Sequence, residues 1–180
     1  MRAFLALDLP RGTKDALTRL RAELPVGRPV PAENLHLTLA FLGEQPEAVL
    51  SDLHDELESV RALRFDLGIS GLGCFGSRSP KILFAAVSPD PGLGDLRRKI
   101  VGAARRAGIA LARERFRPHV TLARFGKGLP AFEAARLGGL MQAHAGLTVP
   151  PQTVAGYSLV RSILRPQGAL HEELARYRLW

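Results

Sequence analysis

The chain has 180 residues, of which 46% are hydrophobic and 23% charged, with 25 Lys and Arg against 17 Asp and Glu. This composition excludes a wholly disordered chain, and a single cysteine excludes an internal disulfide framework. The net charge of +8 favours anionic partners such as nucleic acid, although a general preference for Arg over Lys explains it equally well.

The predicted organisation is one domain spanning 1–180. Domains usually run to about 100–200 residues, and no Pro-, Gly- or Ser-rich linker is long enough to separate independent units. Residues 1–8 reach an acid after only a short apolar run, which is unlike a secretory signal peptide. No apolar stretch approaches the ~18 residues of a membrane span. We therefore expect a cytoplasmic protein without membrane contact, and nothing calls for more than a monomer.

The first half of the chain predicts strands alternating with helices. Thr13 is expected to cap the first helix, which carries apolar residues at helical spacing as far as Leu24, and Gly43 is expected to end the second strand. A Gly-, Ser- and Pro-rich turn joins the last two strands of this half. The strands are predicted at 3–9, 35–42, 64–72 and 82–87, with a loop at 25–31 and a second helix at 46–60.

The second half follows a break in the pattern at 88–92. A basic amphipathic helix is predicted to end before Gly108, and a later helix is weakened by Gly138 and Gly139. The helices are predicted at 93–107 and 129–143, and the strands at 117–125 and 174–179, with further strand material at 148–164. Because helices and strands alternate without strict βαβ regularity, the pattern favours the α+β class with antiparallel sheets.

One short motif occurs twice. Residues 36–40 and 119–123 both read His-x-Thr-Leu-Ala, and the copies start 83 residues apart. Two copies are too few for a solenoid, so the repeat predicts a pair of pseudo-symmetric lobes. A single His-x-Thr on a strand is usually a packing or surface feature. Duplication favours chemistry, because packing selects apolar residues and not His with Thr.

The spacing within the motif puts its polar side chains on one face. Alternate residues of a strand share a face, so His36 lies with Thr38 and His119 lies with Thr121. Two such strands across a cleft supply two imidazoles, which titrate near neutral pH and can act as acid and base in one reaction. The two hydroxyls can donate hydrogen bonds to phosphate oxygens.

Arg124 follows the second motif. In a regular strand it would point away from Thr121, but a bulge or strand end would turn its guanidinium into the cleft, where it suits phosphate. His36 and His119 could instead be two metal ligands, yet no third ligand has the usual spacing. A Gly-x-x-x-x-Gly-Lys-Ser/Thr loop is also missing from the sequence. We therefore predict neither a metal nor another cofactor.

At these residues the sequence resembles the RNA 2',3'-cyclic phosphodiesterase family, also described as the bacterial and archaeal 2'-5' RNA ligases, within the two-histidine phosphoesterase superfamily. The resemblance covers nearly the whole chain, and the paired motifs with their flanks are specific. It is carried by the stretches 2–10, 33–43, 116–124 and 159–168.

The resemblance implies a bilobal α+β fold of two pseudo-symmetric antiparallel sheets, with outer helices and the active site in a central cleft. It implies hydrolysis of RNA 2',3'-cyclic phosphate ends, or of cyclic nucleotides, to 2'-phosphomonoesters without a metal. The implied roles are general acid for His36, general base for His119, phosphate binding for Thr38, Thr121 and Arg124, and base stacking for Phe41.

Two alternatives remain open from the sequence. The same site suits an ATP-independent 2'-5' RNA ligase or 2'-5' phosphodiesterase, and the fold also suits a module that only binds RNA ends. Residues 169–171 depart from the polar-aromatic pattern usual after Gly168, which bears on substrate contacts from that segment. The remaining histidines, His54, His144 and His171, are predicted to have no catalytic role.

Overall fold

Four α-helices and nine β-strands form within residues 1–76, 79–112, 115–126, 129–166 and 168–180, which the computed structural model describes. The helices are α1 (Arg11–Ala22), α2 (Glu47–Glu58), α3 (Pro91–Arg106) and α4 (Ala131–Ala143). The strands are β1 (Arg2–Leu7), β2 (Arg28–Pro29), β3 (Leu37–Glu44), β4 (Phe65–Phe75), β5 (Ile82–Val87), β6 (His119–Arg124), β7 (Thr148–Val154), β8 (Gly156–Arg165) and β9 (Gly168–Arg178).

The strands are antiparallel throughout and lie in the order β7-β4-β5-β6-β3-β1-β8-β9, with the short β2 paired to β6. The α+β class and the antiparallel pairing are therefore confirmed. The expected two sheets are joined into one continuous sheet, because β3 and β6 meet at a single backbone pair, Leu37 opposite Val120. Each half contributes four strands of the long path.

The two halves repeat one order of elements. The run β1-α1-β3-α2 in the first half matches β5-α3-β6-α4 in the second. Two helices cross between the halves, since α1 packs against β7 and β6 of the other half, while α3 packs against β3 of the other half as well as β4 of its own and α2. This exchange ties both halves to one buried apolar cluster that includes Leu17, Leu37, Ile100 and Val120.

Helix α3 has well-defined ends. Asp90 caps its start by accepting hydrogen bonds from the backbone N–H of Gly92 (2.7 Å) and Leu93 (3.2 Å), and Pro91 occupies the first helical position. At its other end Gly108 has φ of +79°, and Ile109 N–H donates to the Ala104 carbonyl. The helix end predicted at Gly108 is therefore confirmed, and it is a Schellman motif.

The expected cap at Thr13 is wrong. Helix α1 begins at Arg11, directly after Pro10, and no side chain caps it. Thr13 is fully buried inside the first turn, and its hydroxyl has no hydrogen-bond partner among the described residues. Pro10, which fixes its own φ, sets the helix start instead of a hydroxyl.

The C-terminal strands differ most from their predicted bounds. The segment predicted as 148–164 divides at Ala155 into β7 and β8, and the last strand begins at Gly168 instead of 174. The first part of β9 forms a strand because it pairs with β8 along the whole hairpin, although its own sequence shows little alternation of apolar and polar residues. Pro150 and Pro151 are tolerated in β7, because this strand lies at the sheet edge and pairs only with β4.

None of the helices in the described ranges is both long enough and apolar enough to span a membrane.

Replacing Asp90 with Ala should destabilise the protein by about 1 kcal/mol, because the first turn of α3 loses the acceptor for two backbone N–H groups. Urea unfolding measures the change. Asp15→Ala, at an exposed position of α1, is the matched control and should change stability by less than about 0.5 kcal/mol. An equal loss in both variants would contradict the role of the cap.

Candidate active site

The Leu37–Val120 pair arranges both His-x-Thr motifs on one face of the sheet. It joins the middle residues of the two motifs, so the pseudo-two-fold axis of the fold passes through it. In an antiparallel register this pairing sets His36 across from Thr121 and Thr38 across from His119. Leu37 and Val120 point to the other face and are completely buried. The expected convergence of two imidazoles and two hydroxyls therefore follows from the register.

A bulge after each threonine then changes the alternation. On β3, Ala6 of β1 pairs with Thr38 and Leu5 pairs with Ala40, which leaves Leu39 without a partner. On β6, Phe84 of β5 pairs with Thr121 and Leu83 pairs with Ala123, which leaves Leu122 without one. Each extra residue shifts the following side chains to the opposite face. Both bulged leucines are buried.

The bulges bring Phe41 and Arg124 onto the face of the histidines. Phe41 pairs with Phe4, whose ring stacks on His36, and Arg124 pairs with Ile82, two residues from Phe84 on the same face of β5. Of the two conditions that the sequence left open for Arg124, a bulge or a strand end, the structure has the bulge. Phe41 is 68% exposed, which leaves its ring free to stack on a ligand.

His36 is half-buried and is held at both ring nitrogens. Its Nδ1–H donates to the Asn34 carbonyl (2.7 Å), and its Nε2 lies 3.1 Å from Thr38 Oγ1. A carbonyl can only accept, so the proton of the neutral ring is on Nδ1, and the Thr38 hydroxyl donates to Nε2. The Phe4 ring stacks on the imidazole with centroids 4.8 Å apart and planes at 28°.

His119 has a similar backbone anchor and different neighbours. Its Nδ1–H donates to the Arg117 carbonyl (2.7 Å), again two residues earlier in the chain. Two phenyl rings contact the imidazole, Phe75 edge-on at 4.8 Å and Phe84 at 5.3 Å. The Arg117 guanidinium lies over Phe75, 5.1 Å from its centroid. Both anchors leave Nε2 as the nitrogen available for proton transfer.

Burial lowers the pKa of His36 from 6.5 to about 4. The hydrogen bond to the Asn34 carbonyl opposes this shift, while the positive charges of His171, Arg124 and His119 add to it. At neutral pH His36 is therefore the uncharged Nδ1–H tautomer. An anion bound among these groups would favour the protonated ring.

Sequence reasoning missed the side chains that surround the histidines. His171, given no catalytic role above, lies on β9 with its ring 5.2 Å from that of His36. Phe4, Phe75 and Phe84 support the imidazoles from β1, β4 and β5. The departure at 169–171 was the one signal that pointed toward this region. His54 and His144 lie elsewhere, against Tyr177 and Glu23.

A pocket of about 320 Å³ extends from His36 and His171 along β1, β8 and β9. Ser158 lies in its wall, where the hydroxyl is 2.9 Å from Asp8 and 2.8 Å from Glu173. Charged residues of both signs complete the lining: Lys14, Glu33 and Arg176. In the described ranges, no group of three or more His, Cys, Asp or Glu side chains is placed to hold a metal ion.

The sequence profile described as the 2'-5' RNA ligase superfamily matches residues 9–149. A Thermus thermophilus protein named RNA 2',3'-cyclic phosphodiesterase is 33% identical over 197 aligned positions, covering 99% of this chain and 90% of the relative. A Geobacillus stearothermophilus protein of the same name is 34% identical over 82% of this chain. The chain spans about half of that relative, since the match covers 49% of it.

Among solved structures, that of Escherichia coli LigT complexed with 3'-AMP superposes with a TM-score of 0.77 at 29% identity. The match covers 99% of this chain and 97% of LigT.

NMR titration of the histidine ring carbons should show His36 protonating near pH 4 in the free protein, with the resonance assigned by its loss in His36→Gln. The unfolded chain protonates near 6.5, so between pH 6.5 and 4 it binds a proton that the folded chain lacks. Stability should therefore fall as the pH falls through this window, and less steeply in the variant. Titration of His36 near 6.5 would contradict the burial argument.

Proposed function

The chain belongs to the 2'-5' RNA ligase superfamily, and on this premise we propose that it hydrolyses RNA 2',3'-cyclic phosphate ends to 2'-phosphomonoesters by paired-histidine acid–base catalysis. Relatives named RNA 2',3'-cyclic phosphodiesterase, at 33% and 34% identity, support this enzyme activity. The observation that carries the proposal is the Leu37–Val120 register, which brings both His-x-Thr motifs onto one face.

Each of the two imidazoles carries out one proton transfer of the reaction. His119 Nε2 takes a proton from water, whose oxygen forms a bond to phosphorus while the bond from phosphorus to O3' breaks. O3' leaves with the proton of His36 Nε2, and the phosphate stays on O2'. Each positioned acid or base contributes about 10²–10⁴-fold. The assignment of acid and base follows the family resemblance, because the register itself treats the two histidines alike.

His36 has to take up, from solvent, the proton that it donates, and phosphate binding favours this uptake. In the free protein burial holds the pKa of this imidazole at about 4, and Nε2 accepts from Thr38. A phosphate oxygen between the motifs offers Thr38 a different acceptor and adds negative charge beside His36, which favours protonation of Nε2. In this proposal, binding of the anion draws the Thr38 hydroxyl away from His36. It thereby leaves His36 Nε2 free to take up a proton.

Negative charge on the equatorial oxygens needs fixed donors. Thr38 and Thr121 offer hydroxyls from the two strands, and Arg124 offers a guanidinium that can bind two phosphate oxygens at once. The exposed ring of Phe41 supports stacking of a terminal base beside them. The solved complex of LigT with 3'-AMP supports a nucleotide as the ligand of such a site. We propose that the reaction needs no metal.

A second candidate function uses the same groups. The family description as 2'-5' RNA ligases favours joining, in which the 5'-hydroxyl of a second RNA replaces water as the nucleophile. Breaking the resulting 2'-5' bond is the same step in reverse. Incubating RNA with a 2',3'-cyclic end alone, and with a 5'-hydroxyl RNA, compares the two activities directly.

His36→Ala and His119→Ala should each lower kcat by about 10²–10⁴-fold on a short RNA ending in a 2',3'-cyclic phosphate. Because the histidines act as a pair, the double variant should lose little more than either single one. The assay contains EDTA, and the position of the product phosphate is determined. His144→Ala is the matched control and should keep full activity.

Four results would contradict parts of this proposal. Full activity in both single variants would rule out the paired mechanism. Loss of wild-type activity in EDTA would show a metal requirement. Binding of the RNA without turnover in the wild type would favour a module that only binds RNA ends. A 3'-phosphate product would keep the acid–base chemistry and reverse the orientation of the substrate.

Arg124→Gln should lower kcat/KM by about 10²–10³-fold, because the variant removes a positioned cationic donor for the phosphate. The comparison is Arg105→Gln, which removes one positive charge from an exposed position of α3 and should leave kcat/KM within about twofold. Steady-state kinetics on the cyclic phosphate measure both. If the two variants lost activity equally, net charge alone would explain the effect.

A further inference from the structure

Three aromatic rings form a cluster at the His36 side of the cleft. The His171 ring lies 5.2 Å from that of His36 at 74°, and 5.0 Å from that of Phe4 at 68°. Phe4 in turn stacks on His36. The imidazole of His171 therefore meets both other rings edge to face. It is the third imidazole of the site, and the mechanism above does not use it.

One residue, Asn34, links the His36 segment to the hairpin that carries His171. The Asn34 carbonyl accepts the Nδ1–H of His36, while the Asn34 side-chain amide donates to the carbonyl of Ala169 (2.9 Å). Ala169 stands two residues before His171 in the β8–β9 hairpin. Asn34 thereby fixes the His36 ring and the hairpin relative to each other, across 135 residues of sequence.

The two histidines of the repeat differ in this respect. His119 is supported by Phe75 and Phe84, whose rings carry no titratable group. His36 is supported by Phe4 and by a ring that can take up a proton. The pseudo-symmetric halves therefore give the two imidazoles different electrostatic neighbours. Environments that separate the proton affinities of a pair are what distinguish an acid from a base.

We propose that His171 is a positioning residue for His36: its ring holds the orientation of the His36 imidazole, and its charge state governs when that imidazole is protonated. This inference rests on the proposed function, in which His36 supplies a proton. His171 acts through His36 and makes no bond to the reacting atoms.

Burial, and to a smaller extent charge, favours the neutral form of His171. Burial lowers its pKa, and the positive charge of Arg124 lowers it further. A proton on His171 would in turn oppose protonation of His36. The carboxylates that line the adjoining pocket have the opposite effect to the cations, because negative charge favours the protonated form of an imidazole. The ionisable groups that face the two rings or line the adjoining pocket are Asp8, Lys14, Glu33, His119, Arg124, Glu173 and Arg176.

Two substitutions separate the ring from its charge. His171→Phe keeps an aromatic ring against His36 and Phe4 but cannot be protonated, so kcat at the optimal pH should stay within about threefold of the wild type. His171→Ala removes the ring contact and should lower kcat about tenfold, since small misplacements of a reacting group cost rate steeply. Asn34→Ala, which frees the hairpin from the His36 segment, should resemble His171→Ala. Circular dichroism checks that each variant folds.

The decisive readouts are the pKa of His36 by NMR and the pH profile of kcat. In His171→Phe the pKa of His36 should rise, and the alkaline limb of the kcat profile, which reports loss of the proton from the acid in the enzyme–substrate complex, should move to higher pH. A residue that only fills space would move neither. His144→Phe, the same exchange at the end of α4, should leave both unchanged.

The outcomes distinguish this inference from the proposed function. If the wild type hydrolyses the cyclic phosphate but the pKa of His36 and the pH profile are the same in His171→Phe, the inference is overturned and the function stands. If the wild type is inactive while the pKa of His36 moves, the proposed function fails and the coupling of the two imidazoles stands. Movement of both the pKa and the profile supports the inference.

Discussion

The backbone pair between Leu37 and Val120 is the contact on which the candidate site depends. It is the single point at which β3 meets β6, and it joins equivalent residues of the two motifs. Because this pair lies on the pseudo-two-fold axis, the residues next to it in the two strands are arranged symmetrically. Each histidine therefore lies across from the threonine of the other strand. Both side chains are completely buried, and the helices exchanged between the halves cover the core that contains them.

Symmetry of the backbone is combined with asymmetry of the side chains. The bulges at Leu39 and Leu122 are equivalent, yet they turn a phenyl ring into the cleft on one side and a guanidinium on the other. Each histidine likewise donates its Nδ1–H to the carbonyl two residues before it, but the two rings have different neighbours. In the proposed function, Phe41 supplies a stacking surface for the base of an RNA end and Arg124 supplies a cation for its phosphate.

Burial decides the protonation state of His36. The pKa near 4 leaves the ring neutral, with Nε2 engaged by Thr38. A neutral imidazole costs less to bury than a charged one, so the fold tolerates three histidines and an arginine close together. The charge becomes favourable only when an anion enters, which couples phosphate binding to the protonation of the acid in the proposed mechanism.

The sequence by itself determined the class of fold, the pair of motifs and the residues His36, Thr38, His119 and Thr121 as a set, because strand alternation and an internal repeat are local patterns. Only the tertiary structure decided how the set meets, since the Leu37–Val120 register joins segments far apart in the chain. The bulges that turn Phe41 and Arg124 inward depend on pairing with β1 and β5, and the sequence raised such a bulge only as a condition for Arg124. His171 was missed for the same reason: the β8–β9 hairpin and Asn34 bring it to His36, and no periodicity in residues 168–178 records that contact.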